Sequence, residues 1–315
     1  LVKAGHTVAG TVFSLDAWNT TLSKRTLPGS VEEIGALFSR IDELDVTSRE
    51  DCTRIFEEVQ PDAVCHLAGI AFAPQVSSNF VSALDINVGG VFHVCSAFSD
   101  VSKGKRFLLA SSGEVYGVVS EKNLPITEHQ LPRPNNPYSV TKLQAEEVVK
   151  YFDRRGDIAG IIARPFNHIG PGQSESFVCS TFARQLAEVA LGLRDSVIRV
   201  GNLDAMRDFM DVRDVVRGYV TLLEHASGLS SGEGVYNLSS GTSVPIQSIL
   251  DLLVDISGLE ITIERDPTRM RPAEVREVRG SFERMYRAFG WKPEVDIETS
   301  LKEIYTYWVD KTRRA

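Results

Sequence analysis

The run RFLLASSGEVYG, Arg106 to Gly117, decides how this chain is read. Its first half is apolar, and paired serines, one carboxylate and a glycine close it. A short apolar run that stops at small polar residues reads as a buried strand with its carboxyl end at Ser111-Ser112. Working outward, similar runs richer in β-branched residues stand at Thr7–Val12, Ala63–Leu67 and Ile158–Arg164. Between them the apolar spacing turns helical, at Arg49–Val59 after the turn residues Thr47-Ser48, at Ala83–Phe98 and at Tyr138–Arg154. Alternating strands and helices predict a parallel sheet with helices on both faces. Such a sheet takes its ligands outside the carboxyl ends of the strands, where SSGEVYG would lie.

After Pro165 the pattern loosens. Helices are expected at Phe177–Leu191 and Asp214–His225, strands at Val197–Val200 and Val235–Leu238, and amphipathic helices at Ile246–Ser257 and Ser300–Trp308. The expected fold is therefore α/β, a Rossmann-like doubly wound parallel sheet with a smaller mixed α/β C-terminal domain. Residues 1–165 are expected to form the first part, a dinucleotide-binding domain. Residues 166–315 are mainly a substrate domain, with some segments returning to the sheet. The chain opens in what reads as a helix end capped by Gly5, followed by the strand run His6–Gly10. A dinucleotide-binding unit places a strand and a glycine-rich turn before such a helix. No two of the 24 glycines stand three apart, so the G-x-x-G half of that fingerprint is missing. Either the fold never held a dinucleotide, or the sequence starts late by roughly 15–25 residues, the length of a strand plus loop. The second reading is the expectation, because the downstream segments suit a cofactor enzyme.

Composition narrows the function. A net charge of −8 argues against a general nucleic-acid binder, so an anionic ligand must be held by local arginines and backbone amides. No apolar run approaching the ~18 residues of a membrane span stands out, and Leu1–His6 does not resemble a secretion signal. Cys52, Cys65, Cys95 and Cys179 are scattered without a C-x-x-C pair, which suits buried reduced thiols and a cytoplasmic setting. The six histidines lack metal-ligand spacing, and no metal is expected.

Chemistry enters with Tyr138-Ser-Val-Thr-Lys142, which puts a phenol and an ammonium on one face of a helix opened by Pro137. A phenol ordinarily titrates near ~10, and a shift of ~3 units corresponds to ~4 kcal/mol. The expectation is that the ammonium, with a positively charged nicotinamide, lowers the Tyr138 value toward neutrality. Spacing alone proves little, since Tyr307-Trp-Val-Asp-Lys311 repeats it at the C-terminal helix. The upstream strand-end serines and the proline-rich loop Leu131–Pro137 set the first pair apart.

Taken together, SSGEVYG, NPYSVTK and ARPFNHIGPGQ resemble the extended short-chain dehydrogenase/reductase family, in the branch that acts on nucleotide sugars. The resemblance covers nearly the whole chain and begins after the family's glycine motif. It implies a catalytic set of Ser112, Tyr138 and Lys142, with Ser111 left to local hydrogen bonding. Asp45, Val46, Leu67, Ala68, Gly69 and Asn87 would line the adenine and ribose side of an NADP or NAD cofactor. Tyr138 and Lys142 would also meet its nicotinamide ribose, and His168 would either touch the nicotinamide or be a satisfied polar residue. The choice between NAD and NADP stays open: neither a clear acid nor an arginine follows Thr11-Val12-Phe13, and Asp16 and Arg25 lie too far along. Members of the family usually pair as homodimers through the helices expected at Ala83–Phe98 and Tyr138–Arg154.

The same resemblance points to the reaction. Family members that dehydrate dTDP-glucose carry an Asp-Glu pair where this chain has Gly113-Glu114, so the acid is absent. Glu114 is left as a base, a partner for a sugar hydroxyl or a helix-cap carboxylate. The segment Val200–Phe209, with Asn202 and Arg207, is similar to one found in members that dehydrate or reduce GDP-linked mannose derivatives. Asp266–Val275 resembles a second nucleotide clamp, with Arg271 on the diphosphate and Glu274 on the ribose hydroxyls. Guanidinium pairs bidentately with phosphate oxygens, which suits that assignment. Asn167 and Val178 complete the implied substrate set. Arg164–Gln173 and Asp211–Val216 read as reductase-like. The implied activity is NAD(P)H-dependent reduction of the C4 ketone of GDP-4-dehydro-6-deoxy-D-mannose to GDP-D-rhamnose. Rival readings are a GDP-mannose 4,6-dehydratase, a nucleotide-sugar epimerase, and an inactive nucleotide-sugar-binding protein without a cofactor site.

Overall fold

The run RFLLA has no polar alternation because both faces of its strand are covered. In the computed structural model, which describes residues 1–18, 34–232, 234–269 and 275–314, it forms the strand Arg106–Ala110. Phe107 and Leu109 pack into one core and Leu108 into another, on the opposite face. Burying each of these side chains contributes on the order of 1.5–3 kcal/mol.

In chain order the first strands are β1 (Ala9–Val12), β2 (Arg40–Glu43), β3 (Ala63–His66), β4 (Arg106–Ala110) and β5 (Ala159–Pro165). Helices α1 (Arg49–Val59), α2 (Gly90–Val101) and α3 (Pro137–Arg154) lie between them. Ser48 caps α1 by accepting from the Asp51 amide at 3.1 Å. Asn136 caps α3 reciprocally: its Oδ1 accepts from the Ser139 amide at 2.8 Å, and Ser139 Oγ accepts from the Asn136 amide at 3.2 Å. Further along come β6 (Asn167–Ile169), α4 (Val178–Ala190), β7 (Val197–Val200), β8 (Met206–Arg207), β9 (Phe209–Asp211) and α5 (Val212–His225). The chain continues with β10 (Val235–Leu238), β11 (Val244–Pro245), α6 (Ile246–Ser257), β12 (Thr262–Arg265) and α7 (Ile297–Arg314).

The sheet is parallel and in two pieces. One has the order β10-β5-β4-β3, and the other pairs β1 with β2 in the register Ala9↔Arg40 to Val12↔Glu43. Val235–Leu238 therefore returns to the sheet, beside β5. Among the described residues, no strand joins β1 to β3. A cavity of about 2160 Å³ lies there, lined by Ala9–Val12 on one side and Ala63–His66 on the other. Helices α1, α2 and α3 cover one face of the larger piece, and α5 covers the other. Beyond the sheet, α4, α6 and α7 share a core with β7. Pairs β7–β12 and β6–β9 are parallel, and β8–β11 is antiparallel.

Several expectations need correction. Strand β2 and the two- to four-residue strands β6, β8, β9, β11 and β12 were not anticipated, because so few residues carry no readable period. Helix α7 extends past Ser300–Trp308 at both ends. The helix expected at Ala83–Phe98 belongs to a continuous 22-residue run, Phe80–Val101, with a wide turn at Asp85–Gly89. By length and composition alone it is long and apolar enough to cross a membrane, contrary to the sequence reading. A core helix gives the same signature, and here Val91, Val94, Cys95 and Phe98 are buried.

Candidate active site

Strand β4 ends where α3 begins, and the two meet at the predicted catalytic residues. Ser112 starts a short 3-10 turn, Gly113–Tyr116, by accepting from the Glu114 amide at 3.1 Å. Tyr138 sits in the first turn of α3 and is 7% exposed. Burial raises its pKa above the ordinary phenol value, the Glu114 carboxylate raises it further, and the Ser112 hydroxyl opposes both. Lys142 stands 6.0 Å from the Tyr138 ring centroid and donates to the Ala110 carbonyl at 2.7 Å. Its pKa is pulled down to about 8 by burial, against the pull of Glu146. The expected lowering of Tyr138 by Lys142 is thus absent from the protein itself. Desolvation and a nearby carboxylate outweigh the Ser112 hydroxyl, and the phenol is held neutral.

Glu114 is exposed, and its Oε2 accepts from Asn136 Nδ2 at 3.0 Å. This places Glu114 against the capping residue of α3 and leaves its carboxylate open to solvent. His168 Nδ1 donates to the Phe166 carbonyl at 3.1 Å, and burial lowers its pKa.

The residues assigned to a cofactor divide into two groups. Asp45, Val46, Leu67, Ala68 and Gly69 line the cavity between β1 and β3, at the carboxyl ends of the strands. Gly69 has φ 152°, and a Cβ there would meet Asn87 Oδ1 at 2.8 Å. This open backbone turn beside an exposed Leu67 fits close approach of a dinucleotide on its adenine and ribose side. Asn87 behaves differently from the rest of that set. It is 3% exposed, accepts from the Ile70 amide at 2.7 Å and donates to the Ile70 carbonyl and to Thr141 Oγ1 at 3.2 and 3.0 Å. Asn87 braces the Gly69 turn against α3, with its amide engaged by protein partners.

The substrate set is more dispersed. Asn167 is exposed on β6, and Val178 opens α4. Asn202 Oδ1 accepts from the Asp204 amide at 3.0 Å. Arg207 Nη1 donates to the carbonyls of Met206 and Val275, both at 2.8 Å. Arg271 and Glu274 lie outside the described residues. The sequence reading missed a buried ion pair next to the site, in which Arg164 Nη2 lies 2.6 Å from Glu146 Oε2. The available signal was Glu146 itself, a charge one turn past Lys142 on the face of α3 that meets the sheet.

A doubly wound sheet with serine, tyrosine and lysine gathered at one strand end is the arrangement of a short-chain dehydrogenase/reductase. The family profile described as GDP-mannose 4,6 dehydratase matches residues 1–304, and the chain belongs to that family. GDP-6-deoxy-D-mannose reductase of Pseudomonas aeruginosa is 43% identical over 253 residues, covering 80% of this chain and 82% of the relative. GDP-mannose 4,6-dehydratase of Vibrio cholerae serotype O1 is 26% identical, covering 82% of this chain and 76% of its own. The solved structure of RMD from Pseudomonas aeruginosa complexed with NADPH superposes with a TM-score of 0.82 at 36% identity, covering 97% of this chain and 100% of that one.

Proposed function

We propose that this protein reduces the C4 ketone of GDP-4-dehydro-6-deoxy-D-mannose to GDP-D-rhamnose, using NADPH or NADH. The observation that carries the reading is the buried, neutral Tyr138 beside Ser112, a proton donor placed to meet a forming alkoxide. Likeness to the Pseudomonas reductase at 43% identity supports the substrate. When bound, the reduced nicotinamide supplies the hydride. Tyr138 gives its proton to the C4 oxygen as negative charge grows there, and Ser112 donates a hydrogen bond to the same oxygen. Lys142 keeps a positive charge beside the phenol that has lost its proton. Glu114 holds Asn136 and with it the first turn of α3, and its exposed carboxylate also accepts from a sugar hydroxyl.

In this reading residues 1–165 take the dinucleotide and 166–315 mainly the nucleotide sugar, with Asn167, Val178, Asn202, Arg207, Arg271 and Glu274 around the latter. A homodimer forms through the outer faces of α2 and α3, where Phe92 and Tyr151 are 45% and 42% exposed. The setting is cytoplasmic, in keeping with four free cysteines. A second reading, GDP-mannose 4,6-dehydratase, is favoured by one observation: Glu114 is an exposed carboxylate close enough to Tyr138 to raise its pKa.

The deciding experiment follows NADPH or NADH oxidation by the protein expressed from its complete reading frame. The keto sugar and GDP-mannose alone are supplied in parallel. Oxidation with the keto sugar only is the expected result. Conversion of GDP-mannose to the keto sugar without net reductant would replace the reductase with the dehydratase.

A further inference from the structure

Two ends of one loop meet one ion pair. Glu146, fully buried on α3, accepts from Ser111 Oγ at 2.5 Å and from Arg164 Nε at 2.8 Å through Oε1, and from Arg164 Nη2 at 2.6 Å through Oε2. Arg164, 3% exposed on β5, donates its remaining Nη1 to the Tyr116 hydroxyl at 2.9 Å. Tyr116 in turn donates to Asn237 Oδ1 on β10 at 2.8 Å. Ser111 and Tyr116 bracket the segment that holds Ser112 and Glu114, so both ends of that segment are tied to the same two buried charges. Helix α3 is gripped from the same side. Tyr138, Lys142 and Glu146 are spaced one turn apart and meet Ser112, the Ala110 carbonyl and Ser111, three consecutive residues at the end of β4.

We propose that Glu146, together with Arg164, is a positioning residue for the reaction, clamping the Ser111–Tyr116 loop against α3 so that Ser112, Tyr138 and Lys142 share one geometry. The inference rests on the reductase reading above. A purely structural ion pair has no need to reach both ends of the loop. Replacing a buried pair with apolar residues often leaves stability intact, so its retention calls for another reason. Rate depends steeply on the placement of reacting groups, and a displacement of about 1 Å costs on the order of a hundredfold.

Electrostatics adds a readout that packing alone would not move. The titratable groups facing Lys142 are Tyr138 and Glu146 on its own helix and His66 at the end of β3, and His66 is kept neutral by burial with a pKa of about 4. Glu146 is therefore the anion that favours the charged form of Lys142. In Glu146→Gln, kcat should fall ten- to a hundredfold, with KM for the keto sugar and for the nicotinamide within threefold of wild type. The alkaline limb of the kcat profile should move to lower pH. Ser111→Ala releases one end of the loop and leaves the ion pair whole. It should retain the wild-type thermal midpoint and alkaline limb while kcat falls several-fold, and it carries the test if Glu146→Gln does not fold. Wild-type kcat in Ser111→Ala, or in a folded Glu146→Gln whose alkaline limb has not moved, would overturn the clamp. A wild-type protein without turnover of the keto sugar would overturn the function and take this inference with it.

Discussion

Tyr138 holds its proton because burial and Glu114 both oppose the phenolate. That bias suits an acid. Tyr138→Phe should lower kcat by roughly 10²–10⁴, the usual scale for a lost general acid, with little change in GDP-sugar affinity. Stopped-flow turnover together with calorimetric binding measures both, and a Phe variant near the wild-type rate would remove Tyr138 from the chemistry. Lys142 sets the pH response. Its folded pKa of about 8 lies below the ordinary lysine value, so between the two the unfolded chain binds the extra proton. Stability attributable to Lys142 therefore rises as pH climbs from about 8 toward the free-lysine value, and is lost as pH falls through 8. Activity runs the other way, because the charged form is the useful one. Lys142→Met should flatten the stability rise in denaturant titrations at a series of pH values; an unchanged rise would assign it elsewhere.

Among the elements, α3 and its neighbours show what the sequence could and could not reveal. The bounds of α1, β7, β10 and α6 match the expectation, because caps, glycines and apolar period agree there. That Ser112, Tyr138 and Lys142 would meet was legible because one stands at a strand end and the others share the first turns of the helix that packs there. The inward turn of the Asn87 amide onto the Ile70 backbone was not legible, since nothing in sequence tells an amide facing a cavity from one turned back on a loop. The Glu146–Arg164 pair was invisible for a similar reason: its partners lie on different elements, and burial of a charge is a tertiary fact. The brace at Asn87 yields a prediction for its own turn. Gly69→Ala adds a Cβ at φ 152° facing Asn87 Oδ1 at 2.8 Å, and should cost about 1–3 kcal/mol. Urea titration would check it, and a midpoint equal to wild type would show that the turn yields freely.

Across the whole molecule, stability is uneven. Strands β3, β4, β5 and β10 share a continuous ladder covered on both faces, whereas the four residues of β12 are all exposed. Amide hydrogen exchange in the protein without ligand should therefore be much faster across Thr262–Arg265 than across Phe107–Leu109. Equal protection in the two would show that they open as one cooperative unit.

The return of β10 to the sheet also orders events at the ribosome. Pro165, at the end of β5, is synthesised 70 residues before Val235, so the edge of β5 waits bare for its neighbour. At the usual pace of synthesis that wait lasts roughly 4–14 s. Asn237, the acceptor for the Tyr116 hydroxyl, arrives with the same strand. The nascent chain thus carries Ser112, Tyr138 and Lys142 well before it can hold the loop around them in place, and the finished site comes late in its birth.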